Sequence, residues 1–354
     1  SGCMFGLRPV PATGISPETD FRNSVIAREL LLGRKADIIT TWRNWDPATE
    51  NTTAELQCIQ GGRLPLLTWP LPASVPAGAN AGITAGTYDA IIYGWGQAVA
   101  ALGGLVLFRP MPDANADPNF GPSPATYITS WQRIWTIIKG SPTQFAALSP
   151  ACTAGPALSA TNVDFVWAMA QRPTVAAGGN TWASYFPGAA YVDWIALDTY
   201  NLSPPTQTID TLITTGDFVS PGSSHNWYAT YAGTRQPGGE QIPLMIAETG
   251  CREADDPGVT GQTFSKATWL AQAQALLPKY PAVAAVVYTD AVLPTGDWRL
   301  DTSPGPAVIS DDPAANPTLA AAITWAAGGY FDRRMKVLTD GAGNVYLVTD
   351  PPGN

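Results

Sequence analysis

Histidine and charged residues are scarce in this chain of 354 residues. It contains one histidine, His225, and charged side chains make up 13% of it. A single histidine excludes histidine-rich metal sites and weakens any Ser-His or Cys-His nucleophile scheme. If the chain is an enzyme, its carboxylates are therefore the expected catalytic groups.

Several motifs are also missing. The four cysteines are widely scattered and form no CxxC pair, so a metal site is not expected. The sequence contains neither a GxGxxG fingerprint nor a phosphate-binding P-loop. Carboxylate chemistry needs no metal and no organic cofactor, and we expect neither.

The charge pattern excludes two classes of partner. The formal net charge is −9, and Lys and Arg form no cluster beyond Arg333-Arg334. Nucleic acid and anionic membranes are therefore not expected partners. No apolar run reaches the roughly 18 residues of a membrane span. The chain opens on SGCMFGLRP, which resembles a strand and not a signal peptide, so we expect a domain of a longer polypeptide or a processed product.

Short apolar runs, bounded by turn residues, recur eight times. They are continuous and not alternating, which is typical of parallel strands that are covered on both faces. The eight runs are 3-CMFGLRP, 36-ADIITTW, 64-LPLLTWPL, 104-GLVLFRP, 163-VDFVWAMA, 192-VDWIALDTY, 243-PLMIAETG and 283-VAAVVYTD.

Helical patterns separate these runs. Residues 17–32 and 124–138 each begin with Pro behind a Ser, and residues 265–277 repeat the apolar spacing with Trp269. Eight strand–helix repeats predict an α/β fold, a (β/α)8 TIM barrel. The alternative is a doubly wound open sheet, which usually has fewer strands and a glycine-rich phosphate loop.

Two connections and the C-terminal end differ from this repeat. Residues 110–123 and 201–226 are rich in Pro, Gly, Asn and Asp and are predicted to be loops. In residues 330–354, MKVLT and NVYLV flank DGAG, which predicts a β-hairpin. We therefore expect the barrel over residues 1–329 and an extension, or the start of a following module, over residues 330–354.

Carboxylates and aromatic residues stand where the strands should end. In a barrel of this kind, the carboxyl ends of the strands face the active site. Paired carboxylates cleave glycosidic bonds, and aromatic faces hold sugar rings, although a Trp at a strand end is more often part of the core. The residues at these positions are Trp42, Trp45, Trp69, Arg109, Asp113, Trp167, Asp198, Tyr200, Asn201, Glu248 and Asp290.

Five segments resemble glycoside hydrolase family 26, a group of retaining β-mannanases with a barrel fold. The likeness spans roughly residues 4–326, in matching order and spacing. The matching segments are 86-GTYDAIIYGWGQAVAALGGLVLFRP-110, 126-TYITSWQRIWTI-137, 191-YVDWIALDTYN-201, 244-LMIAETG-250, and 286-VVYTD-290 followed by 297-DWRLD-301.

The resemblance implies catalytic and binding residues. The nucleophile of the family is a Glu after an apolar run, in an Ala-Glu-Thr-Gly context, which is Glu248 here. The acid/base is a Glu in an Arg-Pro-x-His-Glu-x-Asn pattern, and 109-RPMPDAN-115 keeps Arg109 and Asn115 but has Pro112 and Asp113 at the His and Glu positions. The resemblance implies that Tyr200 and Trp167 contact substrate, and that Arg109 and Asn115 hold the catalytic groups or bind sugar hydroxyls. With the strand-end positions added, the expected substrate-binding residues are Arg109, Asn115, Trp167, Tyr200, Trp69, Asp198 and Asp290.

The departures at residues 112 and 113 leave two functions open. In the first, Glu248 attacks a β-linked polysaccharide by double displacement and Asp113, or Asp117 if the loop is re-aimed, is a weakened acid. In the second, the acid is lost and the barrel is a carbohydrate-binding or structural domain. His225 could replace the lost histidine, but an ordinary loop residue is the simpler interpretation.

The cellular setting is predicted from likeness only. Domains of this type occur in tail proteins of phages that infect actinobacteria, where they would contact cell-surface glycans. We therefore expect an extracellular or virion location, with further domains of a longer polypeptide or virion tail subunits as partners.

Overall fold

Eight parallel strands form a closed barrel in this computed structural model, in the order β1 to β8. The barrel closes where β1 pairs with β8 over six residues, from Met4 opposite Ala285 to Pro9 opposite Asp290. The open-sheet alternative is therefore excluded. The strands are β1 Met4–Pro9, β2 Ile38–Trp42, β3 Leu64–Trp69, β4 Val106–Pro110, β5 Val163–Ala170, β6 Trp194–Asn201, β7 Leu244–Cys251 and β8 Val283–Asp290.

The structure describes most of the chain. The described residues are 3–9, 17–45, 51–70, 79–116, 123–171, 181–201, 207–216, 225–253, 265–293, 296–300, 312–331, 335–339 and 345–349. The alternative acid Asp117 and much of the loop predicted over 201–226 lie outside these ranges.

Helices follow the strands as the strand–helix repeat predicts. They are α1 Pro17–Leu32, α2 Thr53–Gln60, α3 Ala79–Thr84, α4 Asp89–Ala100, α5 Pro124–Ile138, α6 Pro142–Ala146, α7 Trp182–Tyr185, α8 Ile209–Thr214, α9 Trp227–Tyr231, α10 Lys266–Leu276 and α11 Pro317–Ala326. No helix in the described part of the chain is long and apolar enough to cross a membrane.

The helix starts follow from capping chemistry. Ser123 precedes α5, and its hydroxyl accepts a hydrogen bond from the Thr126 amide at 3.4 Å. Ser265 precedes α10 and accepts one from the Thr268 amide at 3.3 Å. Each hydroxyl satisfies one amide that the first turn of a helix leaves unpaired, so the predicted starts of these two helices are confirmed to within one residue.

Two short hairpins lie beyond the eight barrel strands. Directly after β8, strands β9 Val292–Leu293 and β10 Gly296–Asp297 pair with each other. Near the C-terminal end, β11 Met335–Thr339 pairs antiparallel with β12 Val345–Thr349. This second pairing confirms the predicted β-hairpin, while the division of the chain at residues 329 and 330 stays a prediction.

Alternate residues of the strands face opposite sides of the barrel. One buried apolar cluster draws on all eight strands and lies inside it; it includes Met4, Ile38, Leu66, Leu107, Val166, Ala168, Ala196, Met245 and Val287. A second, larger cluster joins the outer side of the strands to the helices. This period of two decides which strand-end residues can reach the centre of the barrel.

Above the inner apolar layer, toward the carboxyl ends of the strands, most of the inward positions are polar. Seven of them, on six strands, are each hydrogen bonded to another member of the set: Arg8, Thr68, Arg109, Asp198, Tyr200, Glu248 and Thr289. The barrel thus has an apolar floor and a charged upper layer at the rim where barrel enzymes carry their active sites.

Candidate active site

Glu248 reaches the centre of the barrel through an irregularity in β7. Leu197 pairs with Ile246, but the next residue of β6, Asp198, pairs with Glu248, so Ala247 is an extra residue in β7. Such a bulge re-aims the side chains that follow it, and here it brings Glu248 to the inner face. We predicted Glu248 at the end of its strand; β7 instead continues to Cys251.

Three side chains from three other strands hold the Glu248 carboxylate. Arg8 on β1 donates from Nη1 to Oε2 at 2.9 Å, and the Tyr200 hydroxyl on β6 donates to the same oxygen at 2.6 Å. Arg109 on β4 donates from Nη2 to Oε1. The carboxylate therefore has a fixed position and two cationic partners.

Arg109 is the centre of this network. It is fully buried, and its Nη1 donates to both carboxylate oxygens of Asp198 at 2.9 Å. Its Nε donates to the Thr68 hydroxyl at 3.0 Å. Burial opposes the charge on Arg109, but Asp198 and Glu248 outweigh that effect and raise the pKa of Arg109 above its usual value. Arg109 therefore orders the two acids and has no exposed surface for a sugar hydroxyl.

The pKa values of the two acids that share Arg109 are shifted in opposite directions. Burial acts to raise the pKa of Glu248, but Arg109, Arg8 and the Tyr200 hydrogen bond outweigh it and hold that pKa below its usual value. Burial raises the pKa of Asp198 well above its usual value; Arg109 opposes the rise, and the neighbouring Asp113 and Glu248 add to it. Glu248 is thus an ionised carboxylate at neutral pH, as a nucleophile must be.

Asp113 lies in the turn that follows β4, beside Asp198. Its backbone has a φ of 56°, in the left-handed region, and so does that of Met111, at 46°. Its amide donates to the Ala168 carbonyl at 3.1 Å, which ties the turn to β5. Asp113 is half-buried and its charge acts on both Asp198 and Arg109, so it belongs to the same site as Glu248.

Asn115 has a structural role in this turn. Its side-chain amide donates to the Ala170 carbonyl at 2.8 Å and its Oδ1 accepts from the Ala170 amide at 2.9 Å. This pair of bonds fixes the turn to the end of β5. The Asn115 side chain is thus bonded to the backbone, and its contact with substrate stays a prediction.

Three predicted substrate-binding residues face away from the centre. Trp69 and Trp167 have no exposed surface. The Trp69 ring stacks on the Trp45 ring, with the ring centroids 4.1 Å apart. Trp167 packs against Phe186 and Tyr231 on the outer side of the barrel. A sugar ring can stack only on an open face.

Asp290 also points outward. The Arg28 guanidinium of α1 lies 3.1 Å from its carboxylate, and the Leu300 amide donates a hydrogen bond to it. The structure does not support these three assignments.

Two other aromatic side chains, Tyr200 and Trp42, lie at the rim next to the charged layer. Tyr200 packs against Trp298 with ring centroids 4.8 Å apart. Trp42, at the end of β2, keeps 41% of its surface exposed, and the Arg8 guanidinium lies 4.3 Å from its ring centroid. Trp42 therefore offers an aromatic surface beside Glu248.

Sequence reasoning did not find Arg8 and Thr289 as site residues. Alternate residues of a strand face the same side of the sheet, so a residue that stands an even number of positions from an inward one also faces inward. Arg8 stands four positions after Met4 on β1, and Thr289 stands two positions after Val287 on β8. The same alternation would have placed Trp69, Trp167 and Asp290 on the outer side.

His225 lies directly before Asn226, the residue that caps α9. It is exposed, and its amide and carbonyl pair with those of Gly216 in an isolated bridge. Among the described residues, no group of three or more His, Cys, Asp or Glu side chains has an arrangement that could hold a metal ion.

Comparison with known proteins gives matches in structure only. No protein-family model and no curated protein matches the sequence. The catalytic domain of a family 26 endo-β-1,4-mannanase from Bacillus sp. JAMB-750 is similar over 93% of this chain and 89% of its own, with a TM-score of 0.62 and 12% identity. A modular endo-β-1,4-mannanase from Cellulomonas fimi is similar over 93% of this chain and 71% of its own, with a TM-score of 0.58 and 16% identity.

A third similar structure comes from another family. It is a family 39 glycoside hydrolase from Bacteroides cellulosilyticus WH2, with a TM-score of 0.56, 13% identity, and coverage of 100% of this chain and 69% of its own. The fold is that of the TIM-barrel glycoside hydrolases. At these identities the likeness concerns the fold alone, so the activity has to be argued from the site.

Proposed function

We propose that this protein is a retaining glycoside hydrolase that cleaves a β-linked polysaccharide, with Glu248 as nucleophile and Asp113 as acid/base. The observation that carries this proposal is the state of Glu248: an ionised carboxylate in the upper layer of the barrel, fixed by Arg8, Arg109 and Tyr200. A nucleophile has to be ionised and positioned before substrate arrives.

The reaction takes two steps. Glu248 attacks the anomeric carbon while Asp113 gives its proton to the leaving oxygen, and a covalent glycosyl-enzyme forms. Water then attacks the same carbon, Asp113 takes up the proton, and the Glu248 carboxylate leaves with its electron pair.

Asp113 is the weaker half of this pair. The Asp113 side chain is one methylene shorter than the Glu of family 26. Its carboxyl group therefore reaches less far toward the leaving oxygen that it has to protonate. A displacement of about 1 Å in a catalytic group can cost about 100-fold in rate. We therefore expect slow turnover.

The test is a panel of glycans, with product release as the readout. Mannans and mycobacterial-type wall polysaccharides are incubated with the wild-type protein and with Glu248→Gln, which keeps the shape of the side chain but removes its charge. The proposal predicts release of sugar by the wild type and none by the variant. Equally slow release by both proteins would contradict it.

The second candidate is a glycan-binding or structural domain in which the acid no longer works. The observation that favours it is the position of Asp113 beside the buried Asp198, together with the replacement of the family's His by Pro112. In an affinity gel that contains the glycan, a binding domain would be retarded equally as the wild type and as Glu248→Gln. Neither protein would release sugar.

Its setting is proposed on likeness alone. A barrel of this type suits a tail protein of a phage that infects actinobacteria, in an extracellular or virion location, where other domains of the polypeptide or tail subunits would be its partners and cell-surface glycan its ligand. Specific retention of the protein on isolated cell walls of such a host, competed by soluble wall polysaccharide, is the expected result.

A further inference from the structure

The two oxygens of the Glu248 carboxylate are not equivalent. Oε2 accepts two hydrogen bonds, from Arg8 at 2.9 Å and from the Tyr200 hydroxyl at 2.6 Å. Oε1 accepts one, from Arg109. An ionised carboxylate has about four lone-pair sites, two on each oxygen. Oε2 is therefore saturated by its partners, and Oε1 keeps one lone pair for a new bond.

Arg8 holds its position through a second contact. Its guanidinium lies 4.3 Å from the centroid of the Trp42 ring, and its side chain is 14% exposed. The ring attracts the cation and restricts the motion of a side chain that otherwise loses much rotamer freedom on forming one ion pair. Arg8 is thus fixed from two sides at the open end of the site.

We propose that Arg8 is a positioning residue of the reaction: by holding Glu248 Oε2 it directs bond formation to Oε1 and stabilises the carboxylate when it leaves. This inference rests on the proposed glycosidase function. In the first step an Oε1 lone pair forms the bond to the anomeric carbon, and the bond to the leaving oxygen breaks with its electron pair. In the second step the oxygen of a water molecule forms a bond to the anomeric carbon and its proton passes to Asp113, while the Oε1–carbon bond breaks and its electron pair returns to Glu248.

Arg8 affects the two steps in opposite directions. A cation next to Oε2 stabilises the carboxylate, which makes Glu248 a weaker nucleophile but a better leaving group. The groups that face Glu248 are Arg8 on β1, Arg109 on β4 and Tyr200 on β6, with Asp198 on the far side of Arg109. Loss of Arg8 removes one of two cations, so hydrolysis of the glycosyl-enzyme should slow more than its formation.

The experiment compares three variants on an aryl β-glycoside whose sugar is chosen from the glycan panel. Arg8→Met removes the charge and keeps the length, and Arg8→Lys restores a charge. The control is Arg43→Met, because Arg43 has the same 14% exposure and also holds a buried carboxylate, that of Glu55, at 2.7 Å. The readouts are the pH profile of kcat/KM and the burst of phenol release before steady state.

For Arg8→Met we expect the acid limb of the profile to move up by about one pH unit, since a neighbouring opposite charge lowers a carboxyl pKa by that order. We also expect kcat to fall about tenfold with a burst approaching one equivalent of phenol, because the glycosyl-enzyme accumulates. Arg8→Lys should restore most of the wild-type profile. Arg43→Met should lower the melting temperature and move neither readout.

Failure of this inference can be told apart from failure of the proposed function. A direct titration of the Glu248 carboxyl by 13C NMR, assigned by difference from Glu248→Gln, needs no turnover. If the wild type turns over but Arg8→Met leaves the acid limb and the burst unchanged, the role of Arg8 is refuted and the glycosidase stands. If the wild type acts on no glycoside, both fall, and a raised Glu248 pKa in Arg8→Met then measures a structural ion pair only.

Discussion

The proposed nucleophile, Glu248, and the proposed acid/base, Asp113, are held by different parts of the fold. Glu248 lies within a strand, and side chains from β1, β4 and β6 fix both of its oxygens. Asp113 lies in a turn beyond β4, with a left-handed backbone and a tie to the Ala168 carbonyl. The position of Glu248 is therefore set by strand pairing, whereas that of Asp113 depends on the conformation of a short connection.

This difference explains where a barrel of this kind can vary. A change at Glu248 disturbs two arginines and the Tyr200 hydroxyl at once, because all three donate hydrogen bonds to its carboxylate. A change in the turn after β4 leaves the charged layer intact, and the turn carries the Asp and the Pro that depart from the family 26 pattern. Function can thus be lost or altered at Asp113 without loss of the fold.

The largest expected effect is on catalysis at the turn. Asp113→Asn should lower turnover of a natural polysaccharide by about 10²- to 10⁴-fold, because a positioned general acid contributes about that much. The same variant should form the glycosyl-enzyme from an aryl glycoside with a good leaving group almost as fast as the wild type, since that leaving group needs no proton. Equal losses on both substrates would show that Asp113 is not the proton donor.

The next effect concerns stability and the strand-held acid. Arg109→Leu leaves Asp198 and Glu248 buried without their shared cation, and loss of one partner of a buried pair costs about 3–5 kcal/mol. Urea denaturation should show this loss in the free energy of unfolding. For comparison, Asp113→Asn should change it by less than about 1 kcal/mol. If Arg109→Leu and Asp113→Asn lost similar amounts of the free energy of unfolding, the acids in the strands and the acid in the turn would not differ in how the fold holds them.

Much of this arrangement follows from the sequence, and the rest fails for specific reasons. The eight apolar runs predict the barrel, and the position of Glu248 behind LMIA predicts its delivery to the active rim. The sequence could not show the extra residue at Ala247 that turns Glu248 inward, since a bulge depends on the pairing with β6. The alternation of the strands indicates that Trp69 and Trp167 face outward, but the sequence could not show that both rings are fully covered, because that depends on how the outer helices pack on them.

Glu248 and Asp198, the two strand residues that share Arg109, have pKa shifts of opposite sign, and each shift makes the stability of the protein depend on pH. The folded pKa of Glu248 is below its ordinary value of 4.5, so Glu248 contributes stability that is present above that value and lost as pH falls through the folded pKa. The folded pKa of Asp198 lies above its ordinary value of 3.8, so its contribution is present below that value and lost as pH rises through the folded pKa.

Urea denaturation at a series of pH values separates these contributions. Glu248→Gln should lack the part of the acid-side loss that comes from Glu248, and Asp198→Asn should lack the loss that the wild type suffers on the rising side. Identical pH dependence in the wild type and both variants would mean that neither carboxyl changes its pKa on folding.

The smallest expected effect concerns the second hydrogen bond of Tyr200. Its hydroxyl proton points to Glu248, so at 2.8 Å the Thr289 hydroxyl is the donor to Tyr200. Thr289→Val keeps the shape of a fully buried side chain and removes this bond, which should cost about 1 kcal/mol in the free energy of unfolding. A matched control is Thr40→Val on β2, because the buried Thr40 hydroxyl has no hydrogen-bond partner among the residues that the structure describes.

The control variant should be neutral or slightly stabilising, since it removes a buried polar group that has no partner. If Thr289→Val also raises KM but leaves kcat unchanged, Tyr200 contributes to sugar binding in the ground state. If it lowers kcat alone, the orientation of Tyr200 matters for the position of the Glu248 carboxylate in the transition state. Equal stability of the Thr289 and Thr40 variants would show that the chain Thr289–Tyr200–Glu248 does not help to hold the nucleophile.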